Sequence, residues 1–297
     1  MHVFIDTNVL LSFFGFSKDD LNAVQSVFAA HKDGATTVHV TQQVIDEYYR
    51  NRENKIQDAM KRFDDSITLV QIPSFMRDYK ELEQLAKLQS EMAKLKSVAK
   101  NKAEDEIEEH SLAADKLIDG LFESHDPVAI SEAVYTAADR RMKLGNPPGK
   151  KDSLGDAVNW EALIAQVPEG ADLHVISGDG DFYSKRDKEV EHPFLAREWR
   201  KKKNSDLFAY RTLSEFLDEH FKEVKFSYDK EKEALIAKLA SSPNFATTHH
   251  LIAALEKYTY FSPNEVALID EIVSSNSQVG AIAEDHDIES FLKRISN

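Results

Sequence analysis

The chain has 297 residues, 42% apolar and 30% charged, which suits one large globular domain or a main domain with an appendage. It contains no cysteine, which excludes disulfides, thiolate metal sites and cysteine nucleophiles, and its formal net charge of −15 argues against a generic polyanion binder. No apolar run approaches the roughly 20 residues that span a bilayer, and the first segment carries Asp6 without a basic leader, so a cytoplasmic protein with no signal peptide and no membrane association is expected.

In chain order, Val3-Phe4-Ile5 is an apolar, β-favouring run that stops at Asp6, and Thr7-Asn8 then open a second apolar run. This reads as a buried strand delivering a carboxylate at its carboxyl end, followed by a helix start. In an open α/β sheet that edge is where ligands bind. A charged side chain there is costly unless it is paired, and a metal ion is the usual partner. A helix from Ser17 to about Lys32, a strand over Thr37–Thr41 and a long helix from Gln42 to about Asp64 follow, the last with Val44, Ile45, Tyr48 and Tyr49 on its inner face. Ser66 to Ile72 reads as a further strand, stopped by Pro73.

From Asp78 to Glu123 the pattern is helical and heavily charged. Leu85, Leu88, Met92, Leu95 and Ala99 repeat at coiled-coil spacing, so the stripe predicts packing within an antiparallel helical arm. A helix over Pro127–Lys143, a Pro/Gly-rich loop over Gly145–Asp152 and a helix from Ser153 to Val167 come next. Asp172–Ser177 is another strand, followed by the acidic turn Gly178-Asp179-Gly180-Asp181. A helix near Phe194–Lys203, a strand near Leu207–Arg211 and a helix from Leu213 to Phe221 complete an α/β alternation, which predicts a mainly parallel sheet with helices on both faces. Beyond Asp229 the pattern is all helical, with a capping box at Ser262-Pro263-Asn264-Glu265. The expected division is 1–222, with an arm at about 78–145, and a helical unit over 223–297.

Acids at strand ends or on inward helix faces define a candidate site. Asp6 ends the first strand. Glu47 lies on the second long helix between Val44 and Tyr48, whereas Asp46 points away. Asp156 sits in the first turn of its helix, on the face of Trp160, Leu163 and Val167, where the helix dipole favours a carboxylate. Asp179 follows the strand ending at Ile176, and Asp181 lies in the same turn; the two remain unranked. Carboxylates gathered in this way suit Mg²⁺ or Mn²⁺, and such ions can activate water for an in-line phosphodiester displacement. Basic residues cluster despite the net charge: Lys150 and Lys151 flank the acidic helix, and Lys185 and Arg186 lead a run that continues to Lys203. These stretches would position a phosphate backbone.

Phe4-Ile5-Asp6-Thr7-Asn8-Val9-Leu10, Glu47, Gly155-Asp156-Ala157 and Val175 to Phe182 resemble the four motifs of PIN-domain nucleases, in family order. The long spacer and the stretch from Pro147 to Ser153 resemble larger bacterial PIN-like proteins with a helical insertion. The resemblance covers about residues 1–222. It implies an α/β/α sandwich and a Mg²⁺- or Mn²⁺-dependent endonuclease, with RNA favoured over DNA. Asp6, Glu47, Asp156 and Asp179 map onto the acidic quartet, and Asn8 and Ser177 onto auxiliary polar positions. Asp181 and Asp152 are further acids, although Asp152 also suits a helix cap. Gly178 departs from the polar or acidic residue of many members. Many bacterial relatives are toxins or antiphage effectors; a regulatory partner would attach through the C-terminal helices or the arm, and a homo-oligomer is a further expectation.

The competing readings are a structure-specific DNA nuclease, kept open by the arm, and a catalytically silent PIN-like binding module. A haloacid-dehalogenase-type phosphohydrolase needs an acid two residues after the first aspartate, and position 8 is Asn. Toprim chemistry needs an early-strand Glu that the chain lacks.

Overall fold

The computed structural model describes residues 1–28, 36–65, 73–76, 79–149, 154–258, 261 and 263–296. Through the first part of the chain the elements are β1 (His2–Ile5), α1 (Thr7–Ser12), α2 (Lys18–Phe28), β2 (Thr37–His39), α3 (Gln42–Asp65), α4 (Lys80–Glu108), α5 (Ala113–Ser124) and α6 (Glu132–Lys143). They continue with α7 (Gly155–Gln166), β3 (Leu173–Ile176), α8 (Pro193–Lys203), β4 (Leu207–Tyr210) and α9 (Leu213–His220). The C-terminal helices are α10 (Tyr228–Ala240), α11 (Phe245–Leu255), α12 (Pro263–Ser275), α13 (Ser277–Gly280) and α14 (His286–Ile295). The strand expected at Ser66–Ile72 lies outside the described residues.

The sheet is wholly parallel, in the order β2-β1-β3-β4. Its two central strands, HVFI and LHVI, are apolar almost throughout and covered on both faces, as parallel strands between helices must be. Ile5 is in register with Ile176, so β1 and β3 release the chain side by side at the same edge. The alternating α/β pattern and the parallel sheet expected from the sequence are present, as an α/β/α arrangement with a helical C-terminal region.

Two contacts set how α3 stands on this frame. Thr41 caps α3 by accepting the Val44 N–H at 3.1 Å and donates its own hydroxyl to the buried Asn159 of α7 at 2.5 Å. Farther along α3, the carboxylate of Asp115 on α5 is fully buried. It takes two hydrogen bonds from the Arg52 guanidinium, at 2.7 and 2.6 Å, and one from the Tyr48 hydroxyl at 2.9 Å.

The arm differs from expectation in what holds it. α4 runs antiparallel to α3, since Arg52 bonds the carbonyl of Ile107 while Lys96 and Lys100 reach Asp64. Those links are polar, and α4 has no buried residue. Leu88, Met92 and Leu95 are 55%, 43% and 71% exposed, so the stripe expected to pack faces solvent. The periodicity marked an apolar helix face correctly, but α3 offers α4 its charged end rather than a matching seam. About 24 Å of α4 lies beyond the point where α3 ends.

The C-terminal helices share one continuous apolar core with the sheet. An aromatic file links the two: Phe16 meets Phe226 and Tyr228, Tyr228 meets Tyr258, and Phe261 meets Tyr258 and Phe291. Asp20, buried at the start of α2, accepts both the backbone N–H and the hydroxyl of Ser227 just before α10.

The Asp115 cluster makes a stability prediction. Burial alone would push this carboxyl up, but the hydrogen bonds from Arg52 and Tyr48 and the Arg52 charge bring it below the usual range. Its contribution is therefore present above the unfolded-state pKa of about 4 and is lost as pH falls through the lower folded value. Asp115→Ala leaves a half-buried guanidinium and a buried phenol without their acceptor. It should cost about 3 kcal/mol at pH 7 in a denaturant titration, and the deficit should shrink in strongly acidic buffer.

Candidate active site

Asp6 ends β1 and is also the N-cap of α1, so its carboxylate sits where the backbone turns from extended to helical. It is 5% exposed. Oδ1 accepts the Thr7 N–H at 2.7 Å, and Oδ2 accepts the Asn8 amide at 2.7 Å and the Ser177 hydroxyl at 2.5 Å. Asn8 in turn accepts the Gly178 N–H at 3.1 Å. The residues just after β1 are thus stitched to those just after β3.

The stitching continues through the acidic turn. Ser177 Oγ accepts the Asp179 N–H at 3.0 Å, Asp179 Oδ1 accepts the Asp181 N–H at 2.9 Å, and Tyr183 holds the Ser177 carbonyl through its hydroxyl at 2.8 Å. Asp181 Oδ2 accepts the N–H of Gly149 at 3.2 Å. Gly149 has φ of 123°, a conformation that side chains rarely adopt, so glycine lets this loop present its N–H there.

Glu47 and Asp156 arrive from the helices. A Cβ on Gly155 would stand 2.9 Å from the Gln43 amide, which would have to shift, and 3.6 Å from a Glu47 oxygen, so the start of α7 lies close against this face of α3. Gln43 donates to Glu47 at 3.4 Å. Asp156, the next residue, therefore enters beside Glu47.

Electrostatics report that these acids share one space. Burial pushes the Asp156 carboxyl up to about 7, and the charges of Asp6, Asp179, Glu47 and Asp181 add to it. Asp6 is pushed up to about 6, by burial first; the Ser177 hydrogen bond opposes this, and Glu47 and Asp179 reinforce it. Among the described residues no ion pair reaches Asp6, Glu47 or Asp156, and the Thr7 hydroxyl is buried without a partner. As placed, no three carboxylate or imidazole side chains among the described residues enclose an ion-sized space. The donor set is nonetheless all oxygen: carboxylates backed by an amide and a hydroxyl. A set of that kind suits Mg²⁺ or Mn²⁺.

Asp6, Glu47, Asp156, Asp179, Asp181, Asn8 and Ser177 are thus brought to one edge. Lys150, Lys151 and Asp152 lie outside the described residues. Lys185 and Arg186 are exposed in the turn after the acidic segment; burial pushes the His192 imidazole down, the Lys185 charge adds to this and Asp181 opposes it. Three cations further along the basic run are engaged within the protein. Arg200 pairs with Asp206 at 2.5 Å, Lys202 lies near Glu161 and Glu198, and Lys203 bonds the Val167 carbonyl. These cations close the C-terminal turn of α8 and its contact with α7 instead of facing a ligand. Gln43, Gly149 and Tyr183 were missed, because nothing local in their neighbourhoods marks them as supports of distant acids.

A pH prediction follows from the two raised carboxyls. Folded Asp6 and Asp156 retain protons that the unfolded chain releases above about pH 4. Their favourable contribution is complete below that value and is lost as pH rises through about 6 and about 7. In EDTA, Asp156→Asn should raise the melting temperature at pH 8, and the gain should fade toward pH 5. An equal difference at both pH values would contradict the crowding of charge at this edge.

Comparison with known proteins agrees with this geometry. Residues 3–182 match the family model of the PIN domain, and no curated protein or solved structure matches significantly. PIN domains are usually nucleases and typically use divalent metals. Among the described residues no helix is long and apolar enough to cross a membrane. With the match spanning both strand-end acids, Glu47 and Asp156, the chain belongs to the PIN domain family.

Proposed function

We propose that this protein is a divalent-metal-dependent endonuclease acting on RNA, and that residues 1–222 form the nuclease unit, with 223–297 as its helical appendage. The observation that carries the reading is the meeting of Asp6, Glu47, Asp156, Asp179 and Asp181 at the β1–β3 edge, where Asp6 and Asp156 are forced toward neutrality. Buried carboxylates that repel one another without a cation to offset them are unfavourable for stability alone. Mg²⁺ or Mn²⁺ held there by Asp6, Glu47, Asp156 and Asp179, with Asp181 beside them, would supply an activated water and neutralise charge at the phosphate.

The chain's own groups have definable parts in this scheme. Asn8 and Ser177 fix Asp6 Oδ2 in one orientation, leaving little freedom to reorganise when a cation binds. Asp156 must lose its proton to become a ligand, so loading should release a proton and strengthen with pH. Lys185 and Arg186, at the rim, would hold a phosphate backbone. The preference for RNA rests on the family resemblance, and α4, projecting past α3, supports the alternative of a structure-specific DNA substrate. A role as a toxin or antiphage effector in the cytoplasm would show as cell toxicity relieved by Asp6→Asn.

The test uses labelled single-stranded RNA and DNA with Mg²⁺, Mn²⁺ or EDTA. Asp6→Asn should lower cleavage by about a thousandfold while the protein stays folded. Thermal stabilisation by Mn²⁺ should be larger at pH 8 than at pH 5.5 and should disappear in Asp6→Asn. Undiminished cleavage by that variant, or cleavage that persists in EDTA, would overturn the assignment.

A further inference from the structure

A cleft of about 1060 Å³ opens between α3 on one side and α11 and α14 on the other. Lys55, Lys61 and Arg62 line it from α3, and Arg294 from α14. The acids at the same cleft are Asp58, Glu256 and Asp287. Two of these are already engaged: Asp287 with His249 at 2.7 Å, and Glu256 with Arg62 at 4.0 Å. Lys55 is half-buried, and neither it nor Lys61 forms an ion pair among the described residues. Burial holds the Lys55 amine below its usual range, and the charges of Arg62 and Arg294 press it lower; Asp58 opposes them without restoring it. Four cations thus meet three carboxylates here, an excess of one even with Arg62 near Glu256, in a chain whose net charge is −15.

The cleft and the proposed catalytic edge draw on the same face of α3. At 100° per residue, Glu47, Asn51, Lys55, Asp58 and Arg62 fall on one face of α3. Lys55 lies about 12 Å and Arg62 about 22 Å beyond Glu47 along the helix axis. That reach is several nucleotides, within the roughly 4–16 nucleotides that single-strand binding sites occupy.

We propose that this cleft is a track for the phosphodiester backbone of a single-stranded nucleic acid, carrying the strand along α3 away from the acids at Glu47. The proposal presupposes the nuclease reading of those acids. The lining favours backbone over base recognition. Among the described residues Tyr258 is the only Phe, Tyr or Trp lining the cleft, and it is 1% exposed and packed against Tyr228 at 4.6 Å, which leaves only the imidazoles of His249, His250 and His286 as faces for a base.

The test measures binding of the full chain to a fluorescent dodecauridylate in EDTA, across 50 to 200 mM salt. Two double charge reversals probe it: Lys55→Glu with Arg62→Glu, both on α3, and Lys61→Glu on α3 with Arg294→Glu on α14. Each variant is first shown to be folded by its melting temperature and to keep its Mn²⁺-induced stabilisation. Each should weaken binding at least tenfold, and the salt slope should fall by about 1.4, the loss expected for two phosphate contacts on a single strand. Unchanged affinity and slope in both folded variants would overturn the track, as would displacement of the dodecamer by uridine monophosphate at equal nucleotide concentration. Cleavage by the unmodified protein in Mn²⁺ reads the catalytic assignment separately. Weakened binding in the variants with no cleavage by the parent keeps the track and removes the nuclease. Cleavage by the parent with binding unaltered in the variants does the reverse.

Discussion

The in-register parallel pairing of β1 with β3 is the constraint on which the rest depends. Because Ile5 sits opposite Ile176 and the Asp6 N–H bonds the Ile176 carbonyl at 3.0 Å, both strands hand over the chain at the same level. Asp6 and Ser177 then stand side by side, and a single hydroxyl can serve the Asp6 carboxylate and the Asp179 backbone together. A shift of one residue would turn the strand faces over and carry the Asp6 carboxylate away from Ser177.

Around that pair the fold assembles negative charge against its own preference. Asp6 and Asp156 are both raised by burial, and the neighbouring acids push in the same direction. What keeps the groups together is neutral structure: the apolar strands beneath, the hydrogen bonds to Asp6, and the close contact of α3 with α7 at Gly155. An arrangement that must be held against electrostatic repulsion is characteristic of sites organised for a ligand of opposite charge.

The parts outside the sheet follow different rules. α4 is tied to α3 by lysines and backbone carbonyls and leaves its apolar stripe in solvent, whereas the C-terminal helices extend the main core through the Phe16, Tyr228 and Tyr258 rings. The cationic wall of α3 toward α14 is a consequence of that second arrangement. Arg294, one of the charges that lowers the Lys55 amine, comes from those helices.

Local chemistry made much of this legible. The apolar run ending at Asp6, the strand before Ser177 and the acidic turn at Asp179 could be read because strand-forming residues and the acids that follow them are adjacent in sequence. Glu47 could be placed on an inward helix face by periodicity, but its neighbour Asp156 could not be inferred from spacing. Their meeting is framed by Thr41 bonding Asn159 and by the close approach of Gly155 to Gln43 and Glu47. The leucine repeat in α4 showed an apolar face without showing that nothing within the described chain covers it, and the lysines near Lys203 gave no sign that they close α8. By itself the sequence determined the elements, their apolar faces and the acids at the strand ends, because each is written in a short stretch of neighbouring residues. The tertiary structure alone decided which acids share a site, which cations face a cleft and which stripe stays bare, because those outcomes depend on contacts between residues far apart in the chain.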